Sequence, residues 1–236
     1  MNDKHSFSIL PLGDSALELS FGNRIDKNTN QLILALFHKL KSLSLHGIKD
    51  ILPCYSSLAI YYDVSIVKKD ALVNKTAFEI MKEKIKNIAD KNYPAFNAAS
   101  RKIKVPVCYA EKYAPDLKAI SIEKKISANE IIRLHTAKIY RVYMIGFLPG
   151  FAYMGEVDEK IAMPRKSQPR QKVEAGQVGI AGKQTGIYPL TSPGGWQLIG
   201  KTPLRLFDKN SEQPVFFQPG DEVEFYSISE DEFTNY

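Results

Sequence analysis

Hydrophobic and polar positions divide the chain into two textures. In the first, apolar residues keep long, regular periods. Ala16, Leu17, Leu19 and Phe21 alternate as a strand does, entered through a Gly13-Asp14 turn. Leu32, Ile33, Leu36, Phe37, Leu40 and Leu43 fall at helical spacings behind Asp26, a residue type that caps helix starts. Strand-like runs follow at 48–52 and 57–62. Thr76 with Glu79 makes a capping box for a helix buried through Phe78, Met81, Ile85 and Ile88. The order ββαββα predicts an α+β domain of one antiparallel sheet with two helices.

The periods vanish in "KNYPAFNAASRK", which sets a domain boundary near residues 94–101 and units of 1–96 and 97–236. Beyond it a strand is predicted at 103–108. Ser127 with Glu130 reads as a second capping box, for a helix ending near His135, and "IYRVYMI" reads as a strand. Punctuation then takes over, with ten of the 14 glycines between Gly146 and Gly200. Short β-runs between Gly/Pro turns, ending in "DEVEFYSI", predict a β-barrel or sandwich.

One stretch of this block, "GWQLIGKT" from Gly195 to Thr202, matches the phosphate-loop pattern G-x-x-x-x-G-K-[ST]. That pattern needs a buried strand before it and a helix after it. Here "PLTSPG" precedes it, Trp196, Leu198 and Ile199 alternate inside it, and Pro203 disfavours helix at Thr202. We read it as a barrel strand with Trp196 and Leu198 on one face and Gln197 and Ile199 on the other. Gly194 and Gly195 would turn into it, Gly200 would turn out of it, and Lys201 would be solvated. "GQVGIAGKQ" lacks the spacing and the hydroxyl and fails in the same way.

Composition narrows the class. With 44% hydrophobic and 25% charged residues in 236, a core can be buried without disulfide or metal staples. No apolar run approaches about 18 residues, and the start of the chain lacks a long apolar region, so neither a membrane span nor a secretory leader is expected. Two cysteines, Cys54 and Cys108, suit a reducing cytoplasm. A net charge of +6 raises the question of nucleic acid. The basic residues are dispersed, with short runs at 82–86 and 165–172, and no nucleic-acid module accompanies them, so neither nucleic acid nor membrane is expected as a partner. His5, His38 and His46 have no metal-ligand spacing, and no metal site is expected.

Candidate chemistry lies in the glycine-rich half. Loops on a β scaffold that carry Lys183, Gln184, Thr185, Tyr188, Thr191, Ser192, Trp196 and Gln197 are a usual way to build a small-molecule site, although barrel corners alone also require glycine. Arg165, Lys166, Arg170 and Lys172, stiffened by Pro164 and Pro169, either receive a carboxylate or phosphate or form a solvated loop. His135 is either a general base or a helix-end residue favoured by the dipole. "GFLPGFAYMG" offers Phe147, Leu148, Phe151 and Tyr153 to an interface with another protein or to the mouth of the site.

"YRVYMIGFLPGFAYMG" and "PRKSQPRQKVEAGQVGIAGKQTGIYPLTSPGGWQLIGKTP" resemble the family that contains the B subunit of bacterial ATP-dependent 5-oxoprolinase, the KipI sporulation-kinase inhibitors and allophanate hydrolase subunit 1. "GDSAL", "YSSLAIYYD" and "VPVCYAEKYAPDL" follow the family's order. Two departures stand out: Ala110 and Ala114 replace usual glycines, and 173–177 reads "VEAGQ" where the family has V-P-x-G-S, which removes a hydroxyl. The resemblance implies an α+β N-terminal domain followed by a cyclophilin-like β-barrel C-terminal domain, without prolyl isomerase activity. It also implies a related C subunit and an A subunit as partners, and opening of 5-oxo-L-proline to L-glutamate with ATP and Mg²⁺ used at the level of the complex. A histidine kinase, or an amide- or urea-metabolising complex, is the alternative context. The reaction calls for cations, a base and oxyanion donors. By residue type we take His135, Arg165 and Arg170 as candidate catalytic residues, and Tyr153, Lys183, Gln184, Tyr188, Ser192 and Trp196 as candidate substrate-binding residues.

Overall fold

A computed structural model of the chain describes residues 6–70, 74–90 and 100–236. The chain forms two compact units, Met1–Ala99 and Ser100–Tyr236. The expected boundary at 94–101 falls almost wholly outside the described residues, as does His5.

The first unit contains strands β1 (Ser8–Pro11), β2 (Ala16–Ser20), β3 (Ile48–Pro53) and β4 (Ser57–Tyr62). Its helices are α1 (Lys27–Leu43), α2 (Val64–Asp70) and α3 (Ala77–Ala89). The strands form one antiparallel sheet in the order β1-β2-β4-β3. Alternation puts Leu17, Leu19, Leu58 and Ile60 into the core, where Ile33, Leu36 and Leu40 of α1 and Met81 and Ile85 of α3 meet them. The caps of this unit form as the sequence suggests, whereas at Ser127 only half of the expected box forms, the Glu130 carboxylate being taken by Arg133. The Asp26 carboxylate accepts the Thr29 N–H at 2.7 Å, and Thr76 and Glu79 complete their capping box. The expected two helices become three. The extra one, α2, is seven residues long and buries one apolar side chain, Val67, too little for any period to register.

The second unit contains β5 (Lys102–Cys108), β6 (Ile139–Ile145), β7 (Ala152–Gly155), β8 (Arg170–Val173), β9 (Gln177–Ala181), β10 (Gln184–Ile187), β11 (Ser192–Gly194), β12 (Gln197–Lys201) and β13 (Glu222–Ile228). Helices α4 (Leu117–Lys124), α5 (Ala128–Thr136) and α6 (Glu230–Thr234) accompany them. Of the two alternatives, barrel or sandwich, the structure takes the barrel: seven strands close in the order β10-β7-β6-β13-β5-β12-β9. β13 runs parallel to β5, in register from Glu222 opposite Lys102 to Ile228 opposite Cys108. β8 and β11 form a separate two-stranded ribbon.

The "GWQLIGKT" stretch contains β12, hydrogen-bonded to β9 and β5. Trp196 and Leu198 enter one apolar cluster, with Phe151 and Tyr188, while Ile199 enters another, the barrel core. Both faces are covered, so both are apolar. No helix follows directly on Thr202. Three details differ from expectation. Gly194 is the last residue of β11, paired opposite Arg170, and not part of a turn. Gly200 is a strand residue, not a turn: a Cβ there would stand 2.6 Å from Val107 Cγ1 and 3.1 Å from the Cys108 carbonyl oxygen. Lys201 is not solvated: its side chain is 19% exposed and its Nζ pairs with Glu174 at 2.7 Å.

Candidate functional site

The Trp196 cluster is built around Phe151. Its ring meets Tyr153 at 4.8 Å, Tyr188 at 5.1 Å and Trp196 at 5.3 Å, the latter two edge-on, a favourable aromatic geometry. Phe151 is buried, so it belongs to the interior and not to an interface with another protein. Phe147 is the exposed aromatic residue of "GFLPGF", 66% accessible, with its ring edge-on to Phe151. It holds φ +68°, a left-handed conformation uncommon for an aromatic residue.

A pocket of about 260 Å³ opens over this cluster. Its lining combines the rings of Phe147, Tyr153, Tyr188 and Trp196 with Arg165, Lys166 and Pro169. Pro193, Gly194 and Gly195 complete the lining. Gly194 has no room for a side chain, because the Tyr188 ring lies directly against it. The Trp196 backbone N–H donates to the Tyr188 hydroxyl. Burial raises both Tyr188 and Tyr153 above the usual phenol range, so both are protonated donors at neutral pH.

The 164–170 segment is laced to residues 194–197. The Lys166 N–H donates to the Gly195 carbonyl at 2.7 Å, Gln197 Nε2 donates to the Pro164 carbonyl at 3.0 Å, and Arg170 pairs opposite Gly194 in the ribbon. Asp116, which no sequence pattern singles out, pairs with this segment. Its buried carboxylate accepts Arg170 Nη2 at 2.6 Å, Lys166 Nζ at 3.0 Å and the Leu198 N–H at 2.7 Å. Burial pushes its carboxyl up, but these three donors outweigh that and hold it below its usual range. Arg165 has neither an ion-pair nor a hydrogen-bond partner among the described residues. It is the cation left uncompensated at the pocket.

Of the nine candidates, the structure gathers Tyr153, Arg165, Tyr188 and Trp196 at the pocket. Arg170 stands behind it on Asp116. Lys183 is exposed and pairs with Glu159. Gln184 pairs with Gly155 and Ala181 in the barrel wall, and Ser192 turns its hydroxyl to the neighbouring Pro193 carbonyl. His135 is fully buried between Tyr109 (2.8 Å to Nδ1) and Thr185 (3.0 Å to Nε2), and burial pulls its pKa down to about 3. It is a core imidazole, held neutral by its burial, and it does not line the pocket.

Comparison with known proteins shows the chain's relatives. Residues 7–217 match the family described as carboxyltransferase domain, subdomain C and D. The chain is 38% identical over 231 residues to the B subunit of 5-oxoprolinase from Bacillus subtilis, covering 98% of this chain and 96% of that protein. It is 50% identical over 125 residues to the corresponding 5-oxoprolinase B subunit of Haemophilus influenzae, covering 53% and 59%. The crystal structure of TTHA0988 superposes with a TM-score of 0.77 at 32% identity, over 91% of this chain and 40% of that one.

Proposed function

The chain belongs to the family of the carboxyltransferase domain, subdomain C and D, and from that membership we propose that it is the B subunit of a 5-oxoprolinase complex. The complex would open 5-oxo-L-proline to L-glutamate with ATP hydrolysis in the cytoplasm. The full-length similarity to a protein of that name supports the reading. The observation that carries it to a site is the aromatic pocket with one uncompensated guanidinium.

5-Oxoproline is a five-membered lactam bearing a carboxylate. Arg165 would hold that carboxylate through its planar fork, and the walls of Trp196, Tyr188 and Phe147 would pack the ring. The protonated hydroxyls of Tyr153 and Tyr188 are donors suited to the lactam oxygen as charge develops on it. Gly195–Thr202 contains a barrel strand and does not fit a nucleotide, so we assign ATP and Mg²⁺ to a partner protein of the complex. Water activation goes there too, since no histidine lines the pocket. The chain alone is therefore expected to be inactive.

The test is co-expression with and without the A and C subunits, measuring 5-oxoproline-dependent ATP hydrolysis. Arg165→Met in the full assembly is expected to raise KM for 5-oxoproline about tenfold or more, with ATP KM unchanged. Hydrolysis by the chain alone would overturn the division of labour. A full assembly that ignores 5-oxoproline but turns over allophanate, or a chain that instead silences a histidine kinase, would replace the reading.

A further inference from the structure

Asp116 lies in "VPVCYAEKYAPDL", at the N-terminal flank of α4, yet its side chain makes no cap. A free carboxylate there would normally accept an N–H of the first helical turn. Instead it reaches across to two segments 50 or more positions away in sequence. Its own N–H donates to the Leu198 carbonyl at 3.0 Å while its Oδ2 accepts the Leu198 N–H, so Asp116 and β12 hold each other from both sides. Its other oxygen, Oδ1, accepts both Lys166 Nζ and Arg170 Nη2. Arg170 Nη1 is buried without an acceptor, so among the described residues Asp116 is the anchor of that guanidinium.

The consequence falls on Arg165. Lys166 and Arg170 follow it within five positions, and both are drawn back onto one buried carboxylate. We propose that Asp116 is a positioning residue: it clamps the 164–170 segment to β12, draws the cationic ends of Lys166 and Arg170 onto its carboxylate, and so leaves Arg165 as the cation free to turn to the carboxylate of the ligand. The part concerning the ligand rests on the pocket reading above; the clamp itself does not.

Two measurements separate the two. Trp196 is the only tryptophan in the chain and lines the pocket, so its emission reports on that wall. In the chain alone, Asp116→Asn keeps an acceptor for Leu198 but loses both ion pairs. Iodide quenching of Trp196 is expected to rise about twofold or more, because freed cations gather the anion, while quenching by neutral acrylamide rises less. Unchanged quenching, or an equal rise with both quenchers, would overturn the clamp. In the assembled complex, Asp116→Asn is expected to raise KM for 5-oxoproline about tenfold when Arg165 is present and less than about twofold in an Arg165→Met background. Additive effects would overturn the positioning role. Arg170→Met, which cuts one arm of the clamp, gives the same non-additive pattern and serves if Asp116→Asn does not fold. An Arg165→Met complex with unaltered KM would sink the pocket reading, and the quenching comparison would still decide the clamp.

Discussion

His135 Nε2 lies 3.0 Å from Thr185 Oγ1, and the direction of that bond is fixed by its neighbour. The Thr185 hydroxyl donates to the Gly179 carbonyl at 3.0 Å, so it accepts from His135 Nε2–H, and Nδ1 accepts from the Tyr109 hydroxyl. This chain of donors is satisfied only by neutral imidazole. The unfolded chain takes up a proton near the ordinary histidine pKa of about 6.5, whereas the folded one resists until about 3. Stability from this residue is therefore complete above the unfolded value and drains as pH falls between the two, by about 1.4 kcal/mol per pH unit. Urea midpoints at pH 7 and pH 5 are expected to converge in His135→Gln relative to the parent. An identical pH slope in the two proteins would contradict this account.

Trp196→Ala and Lys201→Ala test the nucleotide question. Removing the buried indole should cost roughly 3–5 kcal/mol. Lys201 faces Glu174, whose side chain is 58% exposed, so losing that pair should cost under about 1 kcal/mol. Nucleotide affinity of the assembled complex should not change in Lys201→Ala. A large loss of ATP affinity with an intact melting temperature would restore the phosphate-loop reading.

The two glycines of that pattern are expected to behave unequally. In a phosphate loop both would approach the ligand. Here a Cβ at Gly195 would meet nothing nearer than Pro169 at 3.6 Å, while at Gly200 it would collide with Val107. Gly200→Ala should destabilise by about 1–3 kcal/mol and Gly195→Ala by no more than about 0.5 kcal/mol. Chemical denaturation of both variants checks the order.

Phe147 combines exposure with an unfavourable φ. Phe147→Gly should leave the melting temperature level or raise it slightly, since glycine adopts that backbone without strain. The same change should raise KM for 5-oxoproline or weaken capture of the C subunit. Full activity and full capture together would show that Phe147 serves neither. Phe151→Asp, by contrast, should simply unfold the barrel unit.

What the sequence made legible follows from range. Asp26, Thr76 and Glu79 act on neighbours within three residues, and their caps could be read directly. The alternation of Trp196, Leu198 and Ile199 was legible because each face of β12 meets its own apolar cluster. α4 was not, because Asp116, the residue that would have announced it, is engaged elsewhere, with partners 50, 54 and 82 positions away. His135 misled for the same reason. Its residue type suggested a base, but Tyr109 and Thr185, which make it structural, lie 26 and 50 positions off.

The parallel seam between β5 and β13 sets a timetable for folding. Arg101 and Asp221, paired at its start, are 120 positions apart, and bringing such ends together costs about 4 kcal/mol of chain entropy before any contact repays it. On the ribosome, the sheet of the first unit has its last strand once Tyr62 has emerged. The barrel must wait for Ile228, and until then β5 and β6 each expose an unpaired edge to other nascent chains.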